Sequence, residues 1–116
     1  MLAIDDSIGD RNLLRLALRS KPVDVLGVDS GIEGIEAAIH HLPDVIVVDW
    51  HMPGLDGQAV IETLRARPDT QDIPIIVLTG DEAVSAAALA AGANRCVVKT
   101  GSPFELAEAV QAACGL

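Results

Sequence analysis

The sequence predicts a single α/β domain over residues 1–116, in which a five-stranded parallel sheet is doubly wound with helices on both faces. Five short apolar runs of strand length alternate with longer segments that carry helix signals. The later runs are rich in Val and Ile and lack polar alternation, which is typical of parallel strands buried on both faces. Five βα units are too few for a closed barrel, which needs about eight, so an open sheet is expected.

The predicted strands are the apolar runs themselves. They cover residues 2–4, 23–28, 45–48, 75–78 and 96–98. Helix boundaries are marked by capping boxes, single acidic caps and terminal glycines. The candidates are Ser30 with Glu33, Ser102 with Pro103 and Glu105, Asp56, Asp81, Gly92 and Gly115. Each predicted strand is therefore followed by a predicted helix, with no linker or repeat between units.

Composition and charge limit the classes of function. The 116 residues fit one domain with a real core. No apolar run approaches the ~20 residues of a membrane span, so we expect a cytoplasmic protein without membrane insertion. The net charge of -9 repels polyphosphate, so direct nucleic-acid binding is not expected. Cys96 and Cys114 lack metal-ligand spacing and are expected to be small buried side chains.

Polar residues follow four of the predicted strands at the point where each ends. Asp5 and Asp6 follow the first strand, Asp49 ends the third, Thr79 the fourth and Lys99 the fifth. Each residue alone would ordinarily be a helix cap, a turn residue or a solvated charge. Because the carboxyl ends of parallel strands share one sheet edge, where ligands bind at the reversal of strand order, we expect a common site.

The residue types at this edge indicate phosphoryl chemistry. Clustered carboxylates repel one another unless a cation neutralises them, and an all-oxygen site suits Mg²⁺. Asp49 would be the in-line nucleophile, Thr79 would hydrogen-bond a phosphoryl oxygen, and Lys99 would neutralise its charge. Gly80, which has no side chain, is expected to leave the approach open.

Together these residues resemble the receiver domain of two-component response regulators, and the resemblance covers essentially the whole chain. It rests on Asp5-Asp6, the stretch DWHMPGLDG at 49–57, Leu78-Thr79-Gly80 and Val97-Val98-Lys99. The fold it implies is flavodoxin-like, with strand order 2-1-3-4-5. The function it implies is a phosphorylation-dependent signalling switch in a phosphorelay. Such a domain is not an enzyme in the usual sense, because it catalyses only its own phosphoryl transfer and autodephosphorylation.

The resemblance also implies roles for individual residues. Asp49 would be the phosphoacceptor, with Mg²⁺ held by Asp6, Asp49 and the backbone carbonyl of His51, and with Asp5 close by. The threonine and the lysine would be the switch and phosphate-binding residues. The donor would be a phosphohistidine on a histidine kinase or a histidine phosphotransfer protein.

Two positions depart from the family pattern. Cys96 stands where an aromatic residue usually precedes the lysine by three positions, so the usual aromatic switch cannot operate. We therefore predict a muted conformational change concentrated in residues 79–93. Thr100 stands where proline usually follows the lysine. Since a cis bond without proline costs about 2.5–4 kcal/mol, the Lys99–Thr100 peptide is expected to be trans.

The first helix is the predicted docking surface for the histidine-bearing partner, again by resemblance. The predicted contacts are Asp10, Arg11, Leu14 and Leu18. On a 3.6-residue period the two leucines form a second apolar strip beside a basic stripe, which would equally suit an oversized core face.

Other classes of function fit less well. A phosphohydrolase of the haloacid dehalogenase type would place a second Asp two residues after the nucleophile, where this chain has His51. A flavin-binding relative would need a phosphate-cradling loop after the first strand, where this chain has two acids. The alternative that remains is a phosphorylation-independent binding module that keeps the receiver fold.

Overall fold

Five parallel strands form one sheet in the order β2-β1-β3-β4-β5. The computed structural model describes residues 1–18, 24–99 and 103–114. The strands are β1 (Leu2–Ile4), β2 (Leu26–Val28), β3 (Ile46–Asp49), β4 (Ile75–Thr79) and β5 (Arg95–Val98). The predicted fold class and strand order are therefore confirmed.

Helices connect the strands in the predicted alternation. They are α1 (Ile8–Leu18), α2 (Gly31–His41), α3 (Gly57–Arg65), a 3-10 turn (Glu82–Val84), α4 (Ser85–Ala91) and α5 (Pro103–Cys114). None of the helices in the described part of the chain is long and apolar enough to cross a membrane.

Three of the helix caps predicted from the sequence are present in the described residues. The Ser30 hydroxyl oxygen accepts a hydrogen bond from the Glu33 N–H at 3.2 Å, and Asp56 caps α3 in the same way. Asp81 caps the 3-10 turn by accepting from the Ala83 N–H at 2.9 Å. These contacts satisfy backbone donors that would otherwise lack partners at the start of each helix. The predicted signals at Ser102 and Gly115 lie outside the described residues.

The core forms one apolar layer on each face of the sheet. Alternate residues of a strand point to opposite faces, so Leu2 and Ile4 enter one layer and Ala3 the other. The first layer packs against α2, α3 and α4, and the second against α1 and α5. Burial of each large aliphatic side chain in these layers contributes about 1.5–3 kcal/mol, which fixes the strands from which the site residues project.

Helix α1 corrects one predicted partner contact. Leu18 is 1% exposed and belongs to the second core layer, so the docking role predicted for Leu18 is wrong. The helical period predicts an apolar strip that contains Leu18, but it does not say whether that strip faces the sheet or a partner. The side chains of Asp10 and Leu14 lie outside the described residues, and Arg11 is half-buried.

Arg65 joins the end of α3 to the end of α4. Its Nε donates to the Gly92 carbonyl oxygen at 2.9 Å, and its Nη2 donates to Asn94 Oδ1 at 2.9 Å. Its Nη1 donates to the carbonyl oxygens of Gln71 and Ile73, at 2.8 and 2.7 Å. One side chain therefore ties the loop before β4 and the turn after α4 to α3.

Candidate functional site

The structure brings the three predicted acids together at the carboxyl edge of the sheet. One carboxylate oxygen from each of Asp5, Asp6 and Asp49 lies within 4.8 Å of the other two. Strands β1 and β3 are neighbours, so the loop after β1 and the last residue of β3 meet. Asp5 and Asp49 are each 6% exposed, whereas Asp6 is exposed. The cluster lies where strand order reverses, as in other doubly wound sheets that bind ligands there.

Lys99 lies between two of these acids. Its Nζ is 3.5 Å from Asp5 Oδ2 and 3.4 Å from Asp49 Oδ2. The Lys99 backbone N–H donates to the Thr79 carbonyl oxygen at 2.6 Å, which anchors the lysine to the end of β4. The site thus combines three formal negative charges with one positive charge, and an additional cation would reduce the repulsion among the carboxylates.

Thr79 is fully buried at the end of β4. Its Oγ1 accepts a hydrogen bond from the Asp81 N–H at 3.2 Å, so its hydroxyl is engaged with the loop that leads to the 3-10 turn. A Cβ placed on Gly80 would meet no heavy atom within 4 Å. The fold itself therefore does not require glycine at position 80.

The start of α3 packs directly against the backbone of the predicted acceptor. The Gly57 N–H donates to the Trp50 carbonyl oxygen at 3.0 Å. A Cβ on Gly57 would lie 2.6 Å from the Asp49 carbonyl oxygen and 2.8 Å from the Trp50 Cα. Because these are backbone atoms that cannot yield cheaply, glycine at this position allows α3 to hold the end of β3 in place.

His51 presents its side chain to solvent. The group of potential metal ligands found among the described residues contains the three acids and does not include the His51 ring. The role of the His51 backbone carbonyl as a metal ligand stays a prediction.

Asp5 is held through its backbone as well as its carboxylate. Its N–H donates to the Val28 carbonyl oxygen at 3.1 Å, and its Oδ1 accepts from the Ser7 N–H at 2.9 Å. Arg11 Nη1 donates to the Asp5 carbonyl oxygen. Sequence reasoning assigned Arg11 to the partner surface and missed this contact. The available signal was its place in the first turn of α1, where helical side chains lean back toward the N-terminus.

Cys96 occupies a half-buried position against the first core layer. Burial raises the pKa of its thiol, and a hydrogen bond with Ser85 acts in the opposite direction. Because position 96 holds a cysteine, there is no aromatic ring at this position whose conformation could change in response to Thr79. The Cys114 side chain and the Lys99–Thr100 peptide lie outside the described residues.

Comparison with known proteins decides the family. A sequence model of the response regulator receiver domain matches residues 1–111. The chain is a response regulator receiver domain. The receiver domain is 40% identical over 105 residues to the phosphate regulon transcriptional regulatory protein PhoB of Rhizobium meliloti (strain 1021). It is 39% identical over 110 residues to the response regulator MprA of Mycobacterium leprae (strain TN).

These matches cover 86% and 93% of the receiver domain, which spans 45% and 46% of the two relatives' lengths. The receiver domain thus corresponds to about half of each curated relative. It is a part of the two-component systems to which response regulators belong.

Solved structures agree with this assignment. A putative response regulator from Chloroflexus aurantiacus J-10-fl has a TM-score of 0.92 and 32% identity, with 99% of the receiver domain and 96% of that chain covered. The receiver domain of sensor histidine kinase PA1611 from Pseudomonas aeruginosa PAO1 has a TM-score of 0.89 and 28% identity, with the same coverage. That structure has a magnesium ion coordinated in the active site cleft.

Proposed function

We propose that this receiver domain accepts a phosphoryl group on Asp49 and acts as a phosphorylation-dependent switch in a two-component phosphorelay. The observation that carries the proposal is the position of Lys99, whose Nζ lies 3.4 Å from Asp49 and 3.5 Å from Asp5. A cation beside the nucleophile is placed to neutralise charge on the phosphoryl group as it is transferred to Asp49.

The proposed transfer involves one bond broken and one bond formed. A carboxylate oxygen of Asp49 attacks the phosphorus of a phosphohistidine on the partner. The new P–O bond forms as the P–N bond breaks, and the imidazole nitrogen keeps the electron pair. Thr79 Oγ1 accepts from the Asp81 N–H, but its own O–H remains able to donate to a phosphoryl oxygen.

Hydrolysis of the acyl phosphate returns the carboxylate of Asp49 and releases phosphate. The domain therefore acts only on its own phosphoryl group, and we do not class it as an enzyme in the usual sense. The proposed donor is a histidine kinase or a histidine phosphotransfer protein, with Asp10 and Leu14 as partner contacts on α1.

The acidic cluster fits Mg²⁺. The ion prefers oxygen ligands, and Asp5, Asp6 and Asp49 offer carboxylate oxygens within 4.8 Å of one another. We propose that these residues and the backbone carbonyl of His51 hold it. When bound, Mg²⁺ would supply positive charge to the oxygens of the transferring group. The magnesium in the similar Pseudomonas aeruginosa domain supports this assignment.

Intact mass after incubation with acetyl phosphate and Mg²⁺ tests the proposal. We expect the mass to increase by one phosphoryl group in the native chain and not in Asp49→Asn. Asp56→Asn is the matched control, because Asp56 is an exposed acid that caps α3 outside the cluster. Modification of Asp49→Asn, or full modification in the presence of chelator, would contradict the assignment. A native chain that binds its partner without modification would support the alternative of a phosphorylation-independent binding module.

A further inference from the structure

Arg11 reaches from α1 to the loop that carries the first two acids. We propose that Arg11 is a positioning residue for the acidic site, and that Gly27 on β2 provides the space for its side chain. The inference rests on the proposed function, because it concerns how Asp5 and Asp6 are oriented to take a cation.

The contact that carries this inference involves the peptide bond between the two acids. Arg11 Nη1 donates to the Asp5 carbonyl oxygen, which belongs to the Asp5–Asp6 peptide. The Asp5 N–H is bonded to β2 through Val28, and the Ser7 N–H is bonded to Asp5 Oδ1. Since a peptide unit is planar, fixing its carbonyl direction fixes the plane from which the exposed Asp6 projects. The guanidinium therefore orients a residue that has little packing of its own.

Gly27 explains how the Arg11 side chain reaches this carbonyl. A Cβ on Gly27 would lie 3.0 Å from Arg11 Cδ and 2.9 Å from Arg15 Nη2. The Arg15 contact involves the tip of a flexible side chain, which can move away at low cost. The Arg11 contact involves the stem, so any displacement there moves the guanidinium that bonds to Asp5. A glycine in a strand interior is otherwise unfavourable, and close approach of other atoms is a recognised reason for one.

Electrostatics and positioning predict opposite effects of removing Arg11. Its positive charge lies at the peptide between Asp5 and Asp6, so its loss alone would strengthen the binding of a cation to these acids. Loss of an orienting hydrogen bond would weaken that binding, as the loss of residues that orient metal ligands generally does. The direction of the change in Mg²⁺ affinity therefore separates the two roles.

Magnesium chloride titration provides the first measurement. Trp50 directly follows Asp49 and is the single tryptophan of the chain, so its fluorescence reports on the site. We expect Arg11→Ala to weaken Mg²⁺ binding about tenfold, and Arg11→Lys, which keeps the charge, to weaken it less. Arg15→Ala is the matched control, because Arg15 is exposed and donates to Asn12, and it should bind Mg²⁺ as the native chain does.

Gly27→Ala tests the positioning role with Arg11 still present. We expect it to weaken Mg²⁺ binding, and we expect the double variant with Arg11→Ala to bind no more weakly than Arg11→Ala alone. Additive losses would show that the two residues act separately and would overturn the role assigned to Gly27.

Amide exchange without metal provides a readout that does not depend on the proposed function. The Ser7 amide should exchange faster in Arg11→Ala than in the native chain, and at the native rate in Arg15→Ala. Unchanged exchange with native or tighter Mg²⁺ binding in Arg11→Ala would overturn the inference. A native chain that does not respond to Mg²⁺ would instead overturn the proposed cation site, and the exchange rates would then decide the role of Arg11.

Discussion

Replacement of Asp49 by asparagine should make the domain more stable in the absence of Mg²⁺. Asp49 is 6% exposed, and its cationic neighbour among the described residues is Lys99, at 3.4 Å. It also has two acidic neighbours, Asp5 and Asp6, whose oxygens lie within 4.8 Å. The neutral amide has nearly the shape of the carboxylate, so the substitution changes mainly the charge.

The distances give the size of this effect. With an effective dielectric constant of about 20, the attraction at 3.4 Å is about 5 kcal/mol, and each repulsion, at no more than 4.8 Å, is at least about 3.5 kcal/mol. The two repulsions therefore exceed the attraction by at least about 2 kcal/mol before solvent screening is considered. Solvent screening at the exposed Asp6 reduces this to about 1 kcal/mol, which corresponds to an increase of about 4 °C in the thermal midpoint of a domain of this size.

Thermal unfolding followed by circular dichroism, at pH 7 in low-salt buffer with chelator, measures the difference. Asp56→Asn is the control, because it removes a charge outside the cluster and keeps a residue that caps equally well, so its midpoint should not change. Mg²⁺ should reduce the advantage of Asp49→Asn, since the ion stabilises only the chain that binds it. A lower midpoint for Asp49→Asn in chelator would refute the reasoning, because it would mean that the Lys99 contact outweighs the repulsion.

Three further predictions concern single positions. Gly57→Ala should lower the free energy of unfolding in urea titrations by about 1–3 kcal/mol, because its Cβ would meet backbone atoms. Gly80→Ala, whose Cβ would meet nothing, should leave the free energy of unfolding unchanged, and equal losses in the two variants would contradict this reasoning. Leu42 is exposed and ends α2 with a φ of 45°, so Leu42→Gly should raise the free energy of unfolding measured in urea by about 0.5–1 kcal/mol; a lower value would show that side-chain contacts outweigh the strain. In a Cys114→Ser background, Cys96 should react with iodoacetamide at pH 8 more slowly than a peptide cysteine, because burial raises its pKa and lowers the thiolate fraction; an equal rate would argue against burial.

The sequence located the strands best where both faces are buried. The run at residues 2–4 is β1 as observed, and the run at 75–78 differs from β4 by one residue. The run at 23–28 was predicted too long, because β2 lies at the edge and pairs only with the three residues of β1. An apolar run reports burial, but the length of the pairing depends on the neighbouring strand, which periodicity does not reveal.

For the candidate site too, the sequence predicted which residues meet but not how each of them is held. The rule that parallel strands end at one edge predicted that Asp5, Asp6 and Asp49 would meet, and they do. The rule could not predict that Asp5 is buried and Asp6 exposed, because that difference depends on the direction of one loop. It also missed the contact of Arg11 with Asp5, since the reach of a long side chain is set by the elements packed around it.

The two ends of α4 differ in how they are held, and this limits how the helix moves. Its C-terminal end is tied to α3 by Arg65 through the Gly92 carbonyl oxygen. Among the described contacts, its N-terminal end has no comparable side-chain tie: it is held by the Asp81 cap on the 3-10 turn and by a hydrogen bond between Ser85 and the Cys96 thiol, and Val84 itself makes no side-chain cap. We therefore expect α4 to move as a lever with its pivot near Gly92. Seven residues at 1.5 Å each make an arm of about 10 Å, so a tilt of about 10° would carry Ser85 through about 2 Å while Ala91 stays almost still.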